Sequence, residues 1–373
     1  DIRPYTDKEV RSKIRIMIKD PVFDEVLTHM FKARPKVKMV KMQLRMIRNI
    51  RQLQGTFVYD MIRRIINKTS KGLTCTGIEK LDKKKAYLFI SNHRDIVLDP
   101  AFINVLIFDK GMTTTQIAVG DNLLLYDWIE HALKLNRAFV IKRSLPPREL
   151  MQASKKVSQY IRKSINEDNV SVWIAQREGR TKDGNDKTQA SMLKMLNLSN
   201  TKSIAEGFND LQIVPVSISY EIEPCGLAKI REMIKKEHYG QKKTSKDDLK
   251  SMSMGMFNPK GRMRFAFGEP IKVDFEEAKT KEAQNKQIQE LAGIVDNHIY
   301  TNFKLWPNNY VAYDMLMQEH RFKDKYTTEE EKRFQIMVEQ AMVNLDFPIT
   351  DIQERFLKLY ANPVINRIKA TEV

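Results

Sequence analysis

Between residues 73 and 267, seven short runs rich in β-branched and aromatic residues recur, separated by longer stretches of helical periodicity. They are LTCTG (73–77), AYLFIS (86–91), TTQIAV (114–119), RAFVIK (137–142), VSVWIA (170–175), IVPVSIS (213–219) and RMRFAF (262–267). Helices are expected near 100–107, 122–134, 147–166 and 187–206. This alternation predicts an α/β fold: a mixed, largely parallel sheet flanked by helices, with helical N- and C-terminal extensions. A length of 373 residues suits about two domains at roughly 150 residues each. We divide the chain into a basic helical region (1–72), an α/β domain (73–272) and a helical C-terminal region (273–373). In the last, Pro307, Pro348 and Pro363 serve as punctuation and TTEEEKRF as a helix start. The polar, Met-rich stretch 238–260 reads as a mobile loop beside the site.

Charge narrows the choice of partner. The chain carries 64 Lys and Arg against 47 Asp and Glu, a net charge of +17, which implies an acidic partner such as nucleic acid or an anionic membrane. Most of the excess lies between Lys32 and Gly72, where twelve basic residues face Asp60 alone. Met39, Val40, Met42, Leu44, Met46, Ile47 and Ile50, then Phe57, Val58, Met61, Ile62, Ile65 and Ile66, recur there at spacings that give helices an apolar stripe. A basic amphipathic helix is a membrane-surface signature, and the bland alternative is a packed helix with a solvated basic face. No apolar run approaches the roughly 20 residues of a spanning helix. Cys75 and Cys225 stand alone, without metal-ligand spacing, so neither a zinc site nor a disulfide framework is supported. The opening DIRPYTDKEV has no apolar signal core. A cytoplasmic protein peripherally associated with a membrane is the expected placement.

In open α/β sheets, ligands bind beyond the carboxyl ends of the strands. His93 stands just past AYLFIS in SNHRDIVLDP, with Asp99 six residues downstream. A carboxylate one loop away can hold such an imidazole in a single tautomer, ready to act as a general base on a hydroxyl. Asp95 is the rival partner. For an isolated His the ordinary reading is a satisfied structural residue.

SNHRDIVLDPAF resembles the first block of the glycerolipid acyltransferase superfamily, which includes glycerol-3-phosphate and lysophosphatidate acyltransferases. IAVGDNL (117–123) with NRAFVIKRSL (136–145) is similar to its second block, WIAQREGRTKDG (173–184) to its third and IVPVSISYE (213–221) to its fourth, and FGEPI (267–271) matches a common trailing element. The resemblance covers residues 73–272, and blocks in order are far more specific than any one alone. It implies an O-acyltransferase that moves a fatty acyl group from acyl-CoA or acyl-ACP to a hydroxyl of glycerol 3-phosphate or a lysophospholipid. It also implies His93 and Asp99 as the catalytic pair. Lys142, Arg143, Glu178, Gly179, Arg180 and Pro215 are implied to bind the acceptor, with no cofactor or metal beyond the donor substrate. Two departures stand out. The family places four residues between His and Asp, and this chain places five, so the loop must bulge. The third block is one residue short, which leaves Arg177 and Lys182 as alternatives to Arg180.

The partners implied are a membrane lipid surface, acyl-CoA or acyl carrier protein, and a phosphate-bearing or lysolipid acceptor. A lyso amino-acid lipid is the alternative acceptor, and an inactive membrane scaffold of the same fold the alternative to an enzyme. Nucleic acid is set aside: no zinc-finger or Walker spacing and no aromatic-basic RNP run is present.

Overall fold

The computed structural model describes residues 2–143, 145–241 and 243–372. Asp1, Ser144, Lys242 and Val373, which fall in segments read above, lie outside them. All seven expected strands are present: β1 (Ser70–Thr76), β2 (Leu88–Ser91), β3 (Gln116–Gly120), β4 (Ala138–Ile141), β5 (Val172–Ala175), β6 (Ile213–Tyr220) and β7 (Gly261–Phe267). They form one sheet in the order β1-β7-β6-β2-β5-β3-β4. The five strands from β6 to β4 run parallel, β7 pairs antiparallel with β6, and β1 runs parallel to β7. The sheet is thus mixed and largely parallel.

Both faces of the sheet are buried, as a parallel sheet requires. The period of two sends Phe89 to one face and Leu88 and Ile90 to the other. On the Phe89 face lie α5 (Tyr59–Thr69) and α6 (Leu98–Asp109). Residues 98–107 of α6 are buried all round, which explains an unbroken apolar run where an amphipathic stripe would be usual. On the other face lie α8 (Pro147–Asn166), α9 (Ala190–Asn197), α10 (Ile204–Asn209) and α13 (Lys281–Asn302). The single helix expected over 187–206 is two, because Ser203 and Glu206 form a capping box that starts a new one.

Before α5 come α1 (Asp7–Met17), α2 (Pro21–Phe31), α3 (Arg34–Met46) and α4 (Ile50–Leu53), joined to α5 by a π-helical turn at Gln54–Val58. They pack with α7 (Asp127–Leu135) around Val10, Ile14, Leu27, Val40 and Leu44. The apolar residues of α3 divide into two sets. Val37, Val40 and Leu44 are buried, whereas Met39, Met42 and Met46 are 49%, 56% and 63% exposed among Lys36, Lys38 and Arg45.

A separate helical cluster is built from α11 (Gly226–Tyr239), α14 (Pro307–Met317), α15 (Thr328–Asn344) and α16 (Ile349–Thr371). Packing therefore departs from the division at residue 273: α11 joins this cluster, and α13 lies on the sheet. Stretch 238–260 is largely helical, not a loop. Thr244 and Asp247 form a capping box that starts α12 (Ser245–Phe257), and burial of Ser251 and Gly255 fixes its inner face. Pro307 and Pro348 mark helix starts as expected, and Thr327 caps α15 through Glu330. Pro363, in contrast, lies inside α16. A proline there frees the carbonyl four residues earlier, that of Leu359. The turn at Gly184 packs against that carbonyl so closely that a Cβ would fall 2.3 Å from its oxygen.

Asp296 of α13 gives the fold a pH signature. Burial, aided by nearby Asp186, raises its carboxyl to about 6 even though Thr188 N–H donates to it at 2.8 Å. Between about pH 4 and about pH 6 the native state holds a proton that the unfolded chain has released, so stability falls as pH rises through that window. Asp296→Asn is expected to remove this slope, leaving stability unchanged near pH 4 and raising it by up to about 3 kcal/mol near pH 7. Urea unfolding at the two pH values measures it.

Candidate active site

Because β2, β5, β3 and β4 are adjacent and parallel, the loops leaving their carboxyl ends meet along one edge of the sheet. The loop after β2 carries His93, whose Nδ1 lies 2.9 Å from Asp99 Oδ2. Asp99 is fully buried in the first turn of α6, where the helix dipole favours a carboxylate. Its Oδ2 also accepts the N–H groups of Arg94 at 2.6 Å and Asp95 at 2.9 Å, and its Oδ1 accepts the Tyr220 hydroxyl at 2.8 Å. An anionic acceptor at Nδ1 fixes the proton there and leaves the Nε2 lone pair facing outward. The His93 side chain is 12% exposed, and among the described residues none hydrogen-bonds Nε2. Trp173 of β5 packs edge-on against the imidazole at 5.7 Å and donates through Nε1 to Ser91 Oγ.

Asp95 has a different task. Its Oδ1 accepts the N–H groups of Val97 and Leu98, closing the turn that leads into α6. This turn absorbs the fifth residue between His93 and Asp99 and leaves Asp99 facing the imidazole. Burial, with Asp99 nearby, pushes the Asp95 carboxyl upward. Helix α12 approaches this loop closely enough that a Cβ on Gly255 would stand 1.9 Å from Asp95 Oδ2, so only glycine fits there.

Behind the loop is a buried ionic network that the sequence did not suggest. Arg94, its side chain 2% exposed, donates through Nη2 to Asp186 at 2.5 Å and through Nη1 to Glu223 at 3.3 Å. Glu223 is also paired with Lys229, and the guanidinium lies over the Phe303 ring. Asp186 further accepts from Asn92 at 2.9 Å and the Thr181 hydroxyl at 2.6 Å, while Thr181 N–H donates to the His93 carbonyl at 2.8 Å. The loops after β2 and β5 are thereby held to each other. A clue was available in HRD, a charged pair immediately after a strand-end histidine, but nothing in it gave the partners.

The remaining sequence-derived residues divide. Arg143 and Glu178 come together at the edge, with Nη1 to Oε1 at 3.4 Å, and Arg143 N–H points at the Asp121 carboxylate; the neighbouring Lys142 is exposed. Gly179 makes the turn beyond Glu178 at φ 72°, a conformation that favours glycine. Arg180 is turned inward: its Nη2 contacts Glu232 at 3.1 Å and Ser251 at 3.3 Å, bracing α11 and α12. The rival Lys182 pairs with the same Glu232, at 3.0 Å. Pro215 is buried in the sheet opposite Ile90, away from the edge. Its missing N–H falls where β7 has just ended, since Val216 is the first residue of β6 paired with β7. Tyr220, in the SISYE ending, was not singled out for its contact with Asp99. Among the described residues no group of three or more His, Cys, Asp or Glu could hold a metal ion.

Residues 72–219 match the family described as Acyltransferase. Among solved structures the chain is similar to the 1-acyl-sn-glycerophosphate (LPA) acyltransferase PlsC from Thermotoga maritima, at 13% identity and a TM-score of 0.37, over 78% of this chain and 94% of that one. No curated protein matches the chain.

Proposed function

We propose that the protein, whose residues 72–219 match the family described as Acyltransferase, transfers a fatty acyl group from an acyl thioester to the hydroxyl of glycerol 3-phosphate or a lysophospholipid. The observation that carries this reading is the His93 imidazole, tied through Nδ1 to buried Asp99 and open at Nε2. Nε2 removes the proton from the acceptor hydroxyl as its oxygen attacks the thioester carbonyl, and Asp99 stabilises the imidazolium. The tetrahedral adduct collapses with loss of the thiolate, which recovers the proton from His93. No bond forms between enzyme and acyl group. Lys142 and Arg143, on the accessible edge, are the cations assigned to an acceptor phosphate, and Arg180 is a brace between α11 and α12. The Arg143–Glu178 pair also favours a second acceptor class, a lyso amino-acid lipid, because it offers both signs to a zwitterionic headgroup. The test incubates the protein and its His93→Ala variant with labelled acyl-CoA or acyl-ACP and each acceptor, resolving the lipid products. Acylation of one acceptor by the parent alone supports the reading; no transfer by a folded, lipid-bound protein favours the scaffold.

The same reading places the enzyme on a lipid surface. Its support is the outer face of α3, where Met39, Met42 and Met46 stand exposed among basic side chains; among the described residues no helix is long and apolar enough to cross a membrane. Replacing the three methionines by serine is expected to weaken binding to phosphatidylglycerol vesicles by on the order of ten-fold or more, read by co-sedimentation. Binding by the parent should weaken as salt rises.

A further inference from the structure

The acyl-transfer reading uses His93 and Asp99, yet one hydroxyl reaches this pair from a strand more than a hundred residues away. We propose that Tyr220 is a positioning residue, whose hydroxyl holds Asp99 in the orientation that aims the His93 imidazole. The inference rests on that reading for its kinetic consequence but not for its structural one.

Tyr220 is the last residue of β6, 3% exposed, and its hydroxyl donates to Asp99 Oδ1 at 2.8 Å. The other oxygen of Asp99 is committed to His93 Nδ1 and to the N–H groups of Arg94 and Asp95. The carboxylate is therefore gripped on both oxygens. The backbone donors belong to the same loop as His93 and would move with it. Tyr220 alone among these donors comes from the sheet, so it refers the plane of Asp99 to the rigid part of the fold. Its ring is fixed edge-on against Phe265 of the neighbouring strand β7 at 6.3 Å. Burial and the adjacent carboxylates push the phenol well above its ordinary range, so the group remains a neutral donor wherever the enzyme works. A buried Asp99 Oδ1 that lost this donor would seek another by turning, and the imidazole would turn with it.

Tyr220→Phe removes the hydroxyl and keeps the ring. Two measurements test the proposal. In protein labelled with ¹⁵N-histidine, with the His93 signals assigned by comparison with His93→Gln, the substitution is expected to shift the His93 Nδ1 resonance; an unchanged resonance overturns the proposal. In the acyl-transfer assay it is expected to lower kcat by about 10- to 100-fold, the range of one hydrogen bond to a charged group, with KM within about two-fold of the parent. In an Asp99→Asn background the same change should cost little more. An unchanged kcat, or an equal loss in both backgrounds, overturns a role through Asp99. The resonance is read without turnover, so failure of the acyl-transfer reading and failure of this one are told apart.

Discussion

His93→Ala is expected to lower acyl transfer by about 10³-fold or more while leaving the fold and vesicle binding intact. A positioned general base contributes about 10² to 10⁴ in rate, and no second imidazole lies against Asp99 to replace it among the described residues. The loss should fall on kcat, because the cations assigned to the acceptor, Lys142 and Arg143, are untouched. Stability should change little: the side chain is partly open, and the loop keeps the bonds from Thr181 N–H to the His93 carbonyl and from Arg94 and Asp95 N–H to Asp99. Steady-state kinetics on the preferred acceptor, with urea unfolding alongside, separate the two effects. Activity within ten-fold of the parent would remove His93 from the mechanism.

The largest stability effect is expected at Arg94. Arg94→Met takes a buried cation from between two carboxylates that are 3% and 6% exposed. Removing one member of a buried ionic set costs about 3–5 kcal/mol, because the charge left behind is neither solvated nor paired. The lower end applies here. Glu223 keeps Lys229, and Asp186 keeps the Asn92 amide and the Thr181 hydroxyl. Urea unfolding should show a lower midpoint at an unchanged slope. Arg94→Met with Asp186→Asn should be less destabilised than Arg94→Met alone, since the second change removes the stranded charge. A loss under about 1 kcal/mol in the single variant would mean that the network contributes little to stability. Since Thr181 links Asp186 to the His93 carbonyl, activity should fall with it.

The strands were legible because each is a local matter: four to eight residues that suit a pleated, buried surface announce themselves by composition and by flanking polar residues. Helix α8 was legible to the residue, with Pro147 at its first position and Val157, Ile161 and Ile165 on its buried side. The misreadings have physical causes. The stretch 238–260 has a diffuse apolar pattern, and its helix is set by the Thr244 cap and by Gly255 against Asp95. The sequence reads Pro363 as a boundary because a proline inside a helix is costly; in the structure the helix continues through it, its freed carbonyl facing the turn at Gly184. The resemblance groups Arg180 with Lys142 and Arg143 by its place in the third block, and a place in a block does not say which way a side chain turns.

By itself, the sequence determined the layered α/β architecture, the concentration of basic charge near the N-terminus and the placing of His93 at a strand end. Those follow from periodicity and composition over a few turns of chain. Only the tertiary structure decided that Asp99 and not Asp95 faces the imidazole, that Arg180 is buried while Arg143 is not, and that Tyr220 and Asp186 hold the site together. These depend on which residues meet through space. Tyr220 and Asp99 are 121 positions apart, and Arg94 and Glu223 are 129 apart; such contacts are fixed by the order and direction of strands, and no local pattern records them.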